Sequence, residues 1–342
     1  LYIMMFQLIE NNNLFLIFFS LSSLIAFIFF FKLELISSHL NIFDTSDHIR
    51  KIHEKKIPPI GGLIFFIIFL IYSLIIYFFY ESNIFYHQKH ILIFLITCFL
   101  IFLTGLVDDK INLNSKRKTI IFLILISILV LNDDGLIVYF LRSTLLNKTF
   151  ALGNISTFFT IFSIFVFINA FNMFDGINLQ SGLYSLTIFL FFIIKGIEPL
   201  IFIPFSFVSL IFLIYNFKDK IFLGNCGSYF LSFLISAFII KSNIKLSLIS
   251  VEEILILMMI PGLDLIRLFC KRLVSGQSPF IADRNHIHHI LSSKFSDLIS
   301  VIIIFSLTFI PILISQYLNN FIIIIFQIFL YFSLIVYFKK FN

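Results

Sequence analysis

Ile91-Leu92-Ile93-Phe94-Leu95-Ile96-Thr97-Cys98-Phe99-Leu100-Ile101-Phe102-Leu103-Thr104-Gly105-Leu106-Val107 runs straight into Asp108-Asp109-Lys110. Seventeen uncharged residues closed by three charged ones read as a helix that crosses hydrocarbon and stops at water, since ~20 apolar residues cover the ~30 Å core of a bilayer. The pattern recurs at 14–31, 62–79, 119–131, 155–171, 179–194, 200–215, 229–240, 253–266, 298–315 and 320–338. These runs predict an all-α integral membrane protein, a polytopic bundle of 10–11 transmembrane helices. The runs at 119–131 and 229–240 are short, so pattern alone fixes their ends loosely.

Composition agrees. Of 342 residues, 60% are hydrophobic and 12% charged, and mean hydropathy is +1.08, which excludes an ordinary soluble domain. Phe (51 residues) and Ile crowd the spans while Trp is absent, a bias to which composition assigns no function. Cys98, Cys226 and Cys270 share neither disulfide nor metal spacing. The run at 14–31 lacks a basic start and a small-residue cleavage site, and reads as a span rather than a cleavable signal. With no Gly/Pro/Ser-rich linker and no repeat, 1–342 reads as one membrane domain.

Eleven spans place their connections alternately on two sides. The side holding 32–61, 108–118, 172–178, 216–228, 267–297 and the C-terminal tail carries 18 of the 24 Lys and Arg residues. Positive charge collects in the cytosol, which predicts an N-terminus outside and a C-terminus inside. The net charge of +6 is then a topology signal, reinforced by anionic lipid, and not a nucleic-acid footprint.

The polar islands all fall on that side, where an inert scaffold has little use for them. Arg50-Lys51-Ile52-His53 leads into Pro58-Pro59-Ile60-Gly61-Gly62. Prolines end a helix and glycines let backbone come close, so this reads as a shaped loop facing a lipid headgroup or phosphate. Asp108 and Asp109 repel each other and oppose the dipole at a helix C-terminus. A divalent cation or a cationic partner removes both penalties. Asn169 and Asn172 share a helix face, continued by Asp175 if the helix continues. Two amides and a carboxylate there suit a base, a sugar or a hydrated metal. Phe222-Leu223-Gly224-Asn225-Cys226-Gly227-Ser228 reads as a turn whose amides point at an anion. Asp264 and Arg267 read as an intrahelical pair. Asp283-Arg284-Asn285-His286-Ile287-His288-His289 concentrates donors for phosphate oxygens. Zinc is the weaker reading of these histidines, because no thiolate cluster or His-Glu-x-x-His accompanies them.

Taken together, these islands resemble the polyprenyl-phosphate N-acetylhexosamine-1-phosphate transferase superfamily. The resemblance covers about 44–291 in family order: Arg-Lys-x-His with Pro-x-x-Gly-Gly, the Asp pair, Asn-Ala-x-Asn-x-x-Asp-Gly, Phe-x-Gly-x-x-Gly-Ser and His-x-His-His. Ser278-Pro279-Phe280 before the histidines is similar to the branch that makes undecaprenyl-linked N-acetylglucosamine for surface polysaccharides.

What the resemblance implies is an inner-membrane enzyme that moves a sugar-1-phosphate from a UDP-sugar to undecaprenyl or another polyprenyl phosphate, releasing UMP, as the first step of a lipid-linked surface glycan. The implied cofactor is Mg²⁺, with Mn²⁺ as an alternative. The implied partners are the two substrates and the bilayer, with a homodimer as an option. Asp108, Asp109 and Asp175 are the implied catalytic carboxylates. Asn172 and Asn225 join Asp108 and Asp109 at the metal. Lys51, His53, Asn169, Asn178, Arg284, His286, His288 and His289 are the implied substrate-binding residues. Asn112, Asn178 and Asn225 stand where many relatives carry Asp. The change at 225 touches the metal site, so the rival reading is a catalytically weakened scaffold that binds lipid phosphate. A transporter fits less well, because the polar groups gather at one face rather than at the midplane.

Overall fold

The computed structural model describes residues 12–40, 42, 57–79, 84–85, 87–246, 248–277 and 285–339. Helices stand at all eleven expected places, with two short ones between them. They are α1 (Asn12–Phe31), α2 (Leu33–Leu40), α3 (Gly61–Phe79), α4 (Gln88–Ile111), α5 (Ser115–Asn132), α6 (Ser156–Phe174), α7 (Gln180–Ile194), α8 (Pro199–Phe217), α9 (Gly224–Leu246), α10 (Val251–Val274), α11 (Ile287–Ser292), α12 (Asp297–Ile314) and α13 (Asn320–Lys339). Among the described residues seven of these are long and apolar enough to cross a membrane, or eight if α1 and the sharply bent α2 count as one span. The chain is therefore a polytopic membrane protein, with fewer self-sufficient spans than the apolar runs suggested. The shortfall has visible causes. α5 opens on Lys116-Arg117-Lys118, α7 is only 15 residues long, and α10 carries Glu252, Glu253, Asp264, Arg267, Lys271 and Arg272.

Local chemistry sets several helix starts. Asn114 accepts from Lys116 N ahead of α5, Ser250 and Glu253 form a reciprocal capping box on α10, and Ser296 caps α12. One departure from all-helix is an antiparallel hairpin between α5 and α6, β1 (Phe140–Ser143) with β2 (Lys148–Ala151). Glu252 of α10 receives the Ser143 hydroxyl at 2.5 Å and the Thr144 and Leu145 amides at 3.2 and 3.3 Å, which ties the hairpin tip to the bundle.

Lipid tails are as apolar as leucine, so apolar area alone does not bring membrane helices together. Close backbone approach and side-chain packing do. A Cβ on Gly62 would lie 2.2 Å from Gly227 Cα, and one on Gly105 2.4 Å from Cys226 Cα, so α3 and α4 both press on the start of α9. Farther along the same helices Phe66 stacks on Phe102 at 4.3 Å between centroids, and Phe230 meets Phe66 edge-on at 5.4 Å. Such pairs contribute about 0.5–1.5 kcal/mol each beyond area. The phenylalanine excess thus has a packing use in the α3–α4–α9 core.

At the opposite end of these helices a second polar cluster is buried. Lys241 Nζ of α9 lies 2.5 Å from one oxygen of Asp133, and His90 Nδ1 of α4 lies 3.3 Å from the other. The ammonium also sits 4.3 Å from the centre of the Phe85 ring.

Candidate active site

The segment expected to be a turn at 222–228 is mostly helix. Gly224, at φ +76°, opens α9, and a Cβ there would lie 2.1 Å from Pro59 O. The Pro-Pro-x-Gly-Gly stretch runs alongside. Gly61 N donates to Phe222 O and Gly62 N to Leu223 O, each at 2.9 Å, and Phe222 N donates to Pro58 O at 3.1 Å. These glycines therefore face protein backbone, which corrects the expectation that they face a headgroup. Their lack of a side chain is what lets α3 lie against α9.

The anion served by the α9 amides is a side chain of the protein itself. Asp109 accepts from Asn225 N at 2.8 Å and Cys226 N at 3.0 Å, so it caps a helix that begins 115 residues later in the chain. Asp108 is 2% exposed. It accepts from Leu113 N at 2.7 Å, the Lys118 ammonium at 3.0 Å and the Tyr229 hydroxyl at 2.7 Å. Within the chain the two adjacent carboxylates find partners in Lys118 and the α9 N-terminus. Asn172, near the end of α6, receives the Ser228 hydroxyl at 2.7 Å. Asp108, Asp109, Asn172 and Asn225 are thereby gathered around the first turns of α9.

α6 stops at Phe174, and Asp175 is its C-cap. Its carboxylate accepts the Ser181 hydroxyl at 2.5 Å. Burial pushes the Asp175 carboxyl up to about 6, against the opposing pull of Ser181. The next residue makes the decisive contact: a Cβ on Gly176 would lie 2.0 Å from His288 Nε2. The Asp-Gly corner and the histidine segment are thus in direct touch.

That segment is helical from Ile287 onward. His286 is the N-cap of α11, and its ring stacks on His288 at 5.4 Å and 7°. His289 lies 4.2 Å from His288 between centroids. Burial and the neighbouring His289 and His286 rings hold His288 well below the usual histidine range, so it serves as a neutral imidazole. The Asp264–Arg267 pair expected from spacing is present at 2.6 Å, and Asp264 also reaches His286 Nδ1 at 2.7 Å.

Two expected residues turn elsewhere. Asn169 donates to Phe165 O in its own helix at 2.8 Å. Asn178 donates to Asp219 at 2.5 Å and accepts from Asn216 at 3.3 Å, bracing the loop against the end of α8. Lys51, His53 and Arg284 lie outside the described residues. Sequence reasoning missed Lys118, Tyr229, Ser181 and the reach of Asp264. Lys118 was counted only as a topology charge, and the other three carry no motif.

Among the described residues no three His, Cys, Asp or Glu side chains group to hold a metal. The oxygen donors around α9 still suit Mg²⁺, which keeps several waters and takes one or two carboxylates.

A model of glycosyl transferase family 4 matches residues 91–243, the stretch that carries the Asp pair, the α6 corner and the α9 start. The probable undecaprenyl-phosphate N-acetylglucosaminyl 1-phosphate transferase of Bacillus subtilis is 31% identical over 272 residues, 76% of this chain and 73% of that protein. The chain belongs to glycosyl transferase family 4. Two more members of the family are named undecaprenyl-phosphate alpha-N-acetylglucosaminyl 1-phosphate transferase. That of Salmonella typhi is 26% identical over 77% of this chain and 72% of its own length. That of Escherichia coli K12 is 28% identical over 71% and 67%. In this family member, Gly176→Ala is expected to lower both thermal stability and turnover, the latter about tenfold or more, because the new methyl must displace the buried His288 ring. Wild-type turnover in that variant would show that the contact is idle.

Proposed function

We propose that the chain transfers N-acetylglucosamine-1-phosphate from its UDP derivative to undecaprenyl phosphate at the cytosolic face of a bacterial inner membrane, releasing UMP. The observation that carries this reading is the convergence on α9 and α11 of residues from separate connections, in a chain whose relatives bear that activity in their names.

The chemistry required follows from charge. A lipid phosphate oxygen attacks the phosphorus that bears the sugar, and the bond to the bridging oxygen breaks, so UMP leaves with that oxygen. A phosphate monoester has its second pKa near ~6 and is already largely dianionic, so no side chain needs to deprotonate it. The difficulty is bringing two anions together. Bound Mg²⁺, held by Asp108, Asp109, Asn172 and Asn225, would supply charge shielding at the transferring group. Lys118 and Tyr229 hold the Asp108 carboxylate in place, and the two α9 amides do the same for Asp109. Asp175 and the imidazoles of His286, His288 and His289 face the nucleotide-sugar, with Lys51, His53 and Arg284 as further cationic contacts.

The test is a panel of UDP-sugars supplied with undecaprenyl phosphate and Mg²⁺ to the purified chain in nanodiscs, scored by UMP release. UDP-N-acetylglucosamine should give the highest turnover, and no release from any sugar overturns the proposal.

Two finer expectations follow. If ionised Asp175 is the active form, turnover falls on the acid side with a midpoint near pH 6, as the raised value of about 6 requires. The Ser181 hydroxyl stabilises the anion, so Ser181→Ala should move that acid limb to higher pH. A limb that stays in place separates Asp175 from the titration. Asn225→Asp adds a third carboxylate beside the pair, and hard cations prefer charged oxygen. Half-maximal activation should then need about tenfold less Mg²⁺, and Mn²⁺ binding followed by electron paramagnetic resonance should tighten in parallel. Unchanged Mn²⁺ binding would remove residue 225 from the metal site.

A further inference from the structure

The imidazole cluster is fixed to the bundle by a group outside the sequence motifs. Asp264 lies in the body of α10 and is 3% exposed. Its Oδ1 accepts from the Arg267 guanidinium at 2.6 Å, the Tyr331 hydroxyl at 2.7 Å and Ile287 N at 3.1 Å. Its Oδ2 faces His286 Nδ1 at 2.7 Å. Arg267 also donates to the Asn285 carbonyl at 2.6 Å and to the Tyr331 oxygen at 2.8 Å, so the chain on both sides of His286 is held.

A carboxylate only accepts, so the proton on His286 sits at Nδ1 and Nε2 is the nitrogen left for a ligand. Arg267 shares the Asp264 carboxylate with the imidazole, at 2.6 and 2.7 Å. In this tautomer Nε2 offers a lone pair. That is a poor contact for pyrophosphate oxygens and a good one for a hydroxyl or an amide N–H.

We propose that Asp264 is a positioning residue: it fixes His286 in the Nδ1–H tautomer so that Nε2 accepts a hydrogen bond from a hydroxyl or amide N–H of the nucleotide-sugar. This rests on the transfer reading above and narrows what the histidines recognise.

In Asp264→Asn the amide oxygen is claimed by Arg267, Tyr331 and Ile287 N, which turns the NH₂ toward His286 and favours the opposite tautomer. KM for UDP-N-acetylglucosamine should rise about tenfold, the size of one lost hydrogen bond, with KM for undecaprenyl phosphate changed less than about twofold. In a His286→Ala background the same substitution should add nothing, because its effect passes through the imidazole. Tyr331→Phe, which removes an Oδ1 donor and leaves His286 alone, should keep both KM values.

Substitutions at His286 itself make the test independent of how well Asp264→Asn folds. Glutamine can place an acceptor near the Nε2 position and should hold KM within about threefold. Arginine offers only donors and should raise it at least about tenfold. The reverse ranking would assign Nε2 to the pyrophosphate and overturn the proposal. Additive losses in the His286→Ala background, or Tyr331→Phe matching Asp264→Asn, would make Asp264 a structural brace only. A wild-type chain silent on every UDP-sugar would instead overturn the transfer reading, and this one with it.

Discussion

Asp108→Asn is expected to lower UMP release by about a hundredfold or more at saturating Mg²⁺. The carboxylate is buried and takes three donors: a backbone amide, an ammonium and a phenol. An amide in its place brings one acceptor oxygen instead of two and no charge. It leaves Lys118 without its counter-ion and removes a hard anionic donor from the proposed metal set. The stability cost should stay below the ~3–5 kcal/mol of breaking a fully buried pair, because Lys118 retains 24% exposure to water. Activity should therefore collapse while the melting temperature falls only modestly. Full activity in Asp108→Asn would dissolve the site. Tyr229→Phe, which removes only the phenol oxygen, should show a smaller loss of the same kind.

Gly105→Ala is expected to have the largest effect on the fold. Its methyl carbon would lie 2.4 Å from Cys226 Cα and 2.6 Å from Cys226 N. Backbone cannot yield as a side-chain tip can, so α4 and the start of α9 must separate. Overpacking typically costs about 1–3 kcal/mol, and a clash against main chain belongs at or above the upper end. The same displacement pulls Asp109 off the Asn225 and Cys226 amides, so turnover should fall with stability. A melting curve in detergent read beside UMP release measures both. A variant as stable as the wild type would mean that α4 and α9 are less tightly opposed than the geometry requires.

The helices are legible because long uncharged runs have few alternative uses, and candidate site residues stand out because polar groups at the ends of such runs are hard to explain otherwise. What stayed hidden depends on partners distant in sequence. From sequence Asp109 calls for a divalent cation or a cationic partner, and its role as a helix cap stays hidden because the amides it caps lie 116 and 117 residues away. The α9 start looked like a turn for the same reason. Gly61 and Gly62 announced close approach, and only the fold says that the approaching group is protein. Asp264 and Arg267 were read correctly from i, i+3 spacing, but the approach of His286 comes from another element. The hairpin, with strands of four residues, is too short to show a period.

Lys241 and Asp133 give the α4–α5–α9 unit a second fastening, at the end remote from Asp108 and Asp109. At that end α5 and α9 cannot slip lengthwise past one another without rupturing a desolvated ion pair, a step costing roughly 3–5 kcal/mol. They form the stator of the molecule. Any yielding needed to admit a bulky sugar nucleotide then falls to the facing parts, and the seam where Gly176 meets His288 is the natural place for the mouth to open.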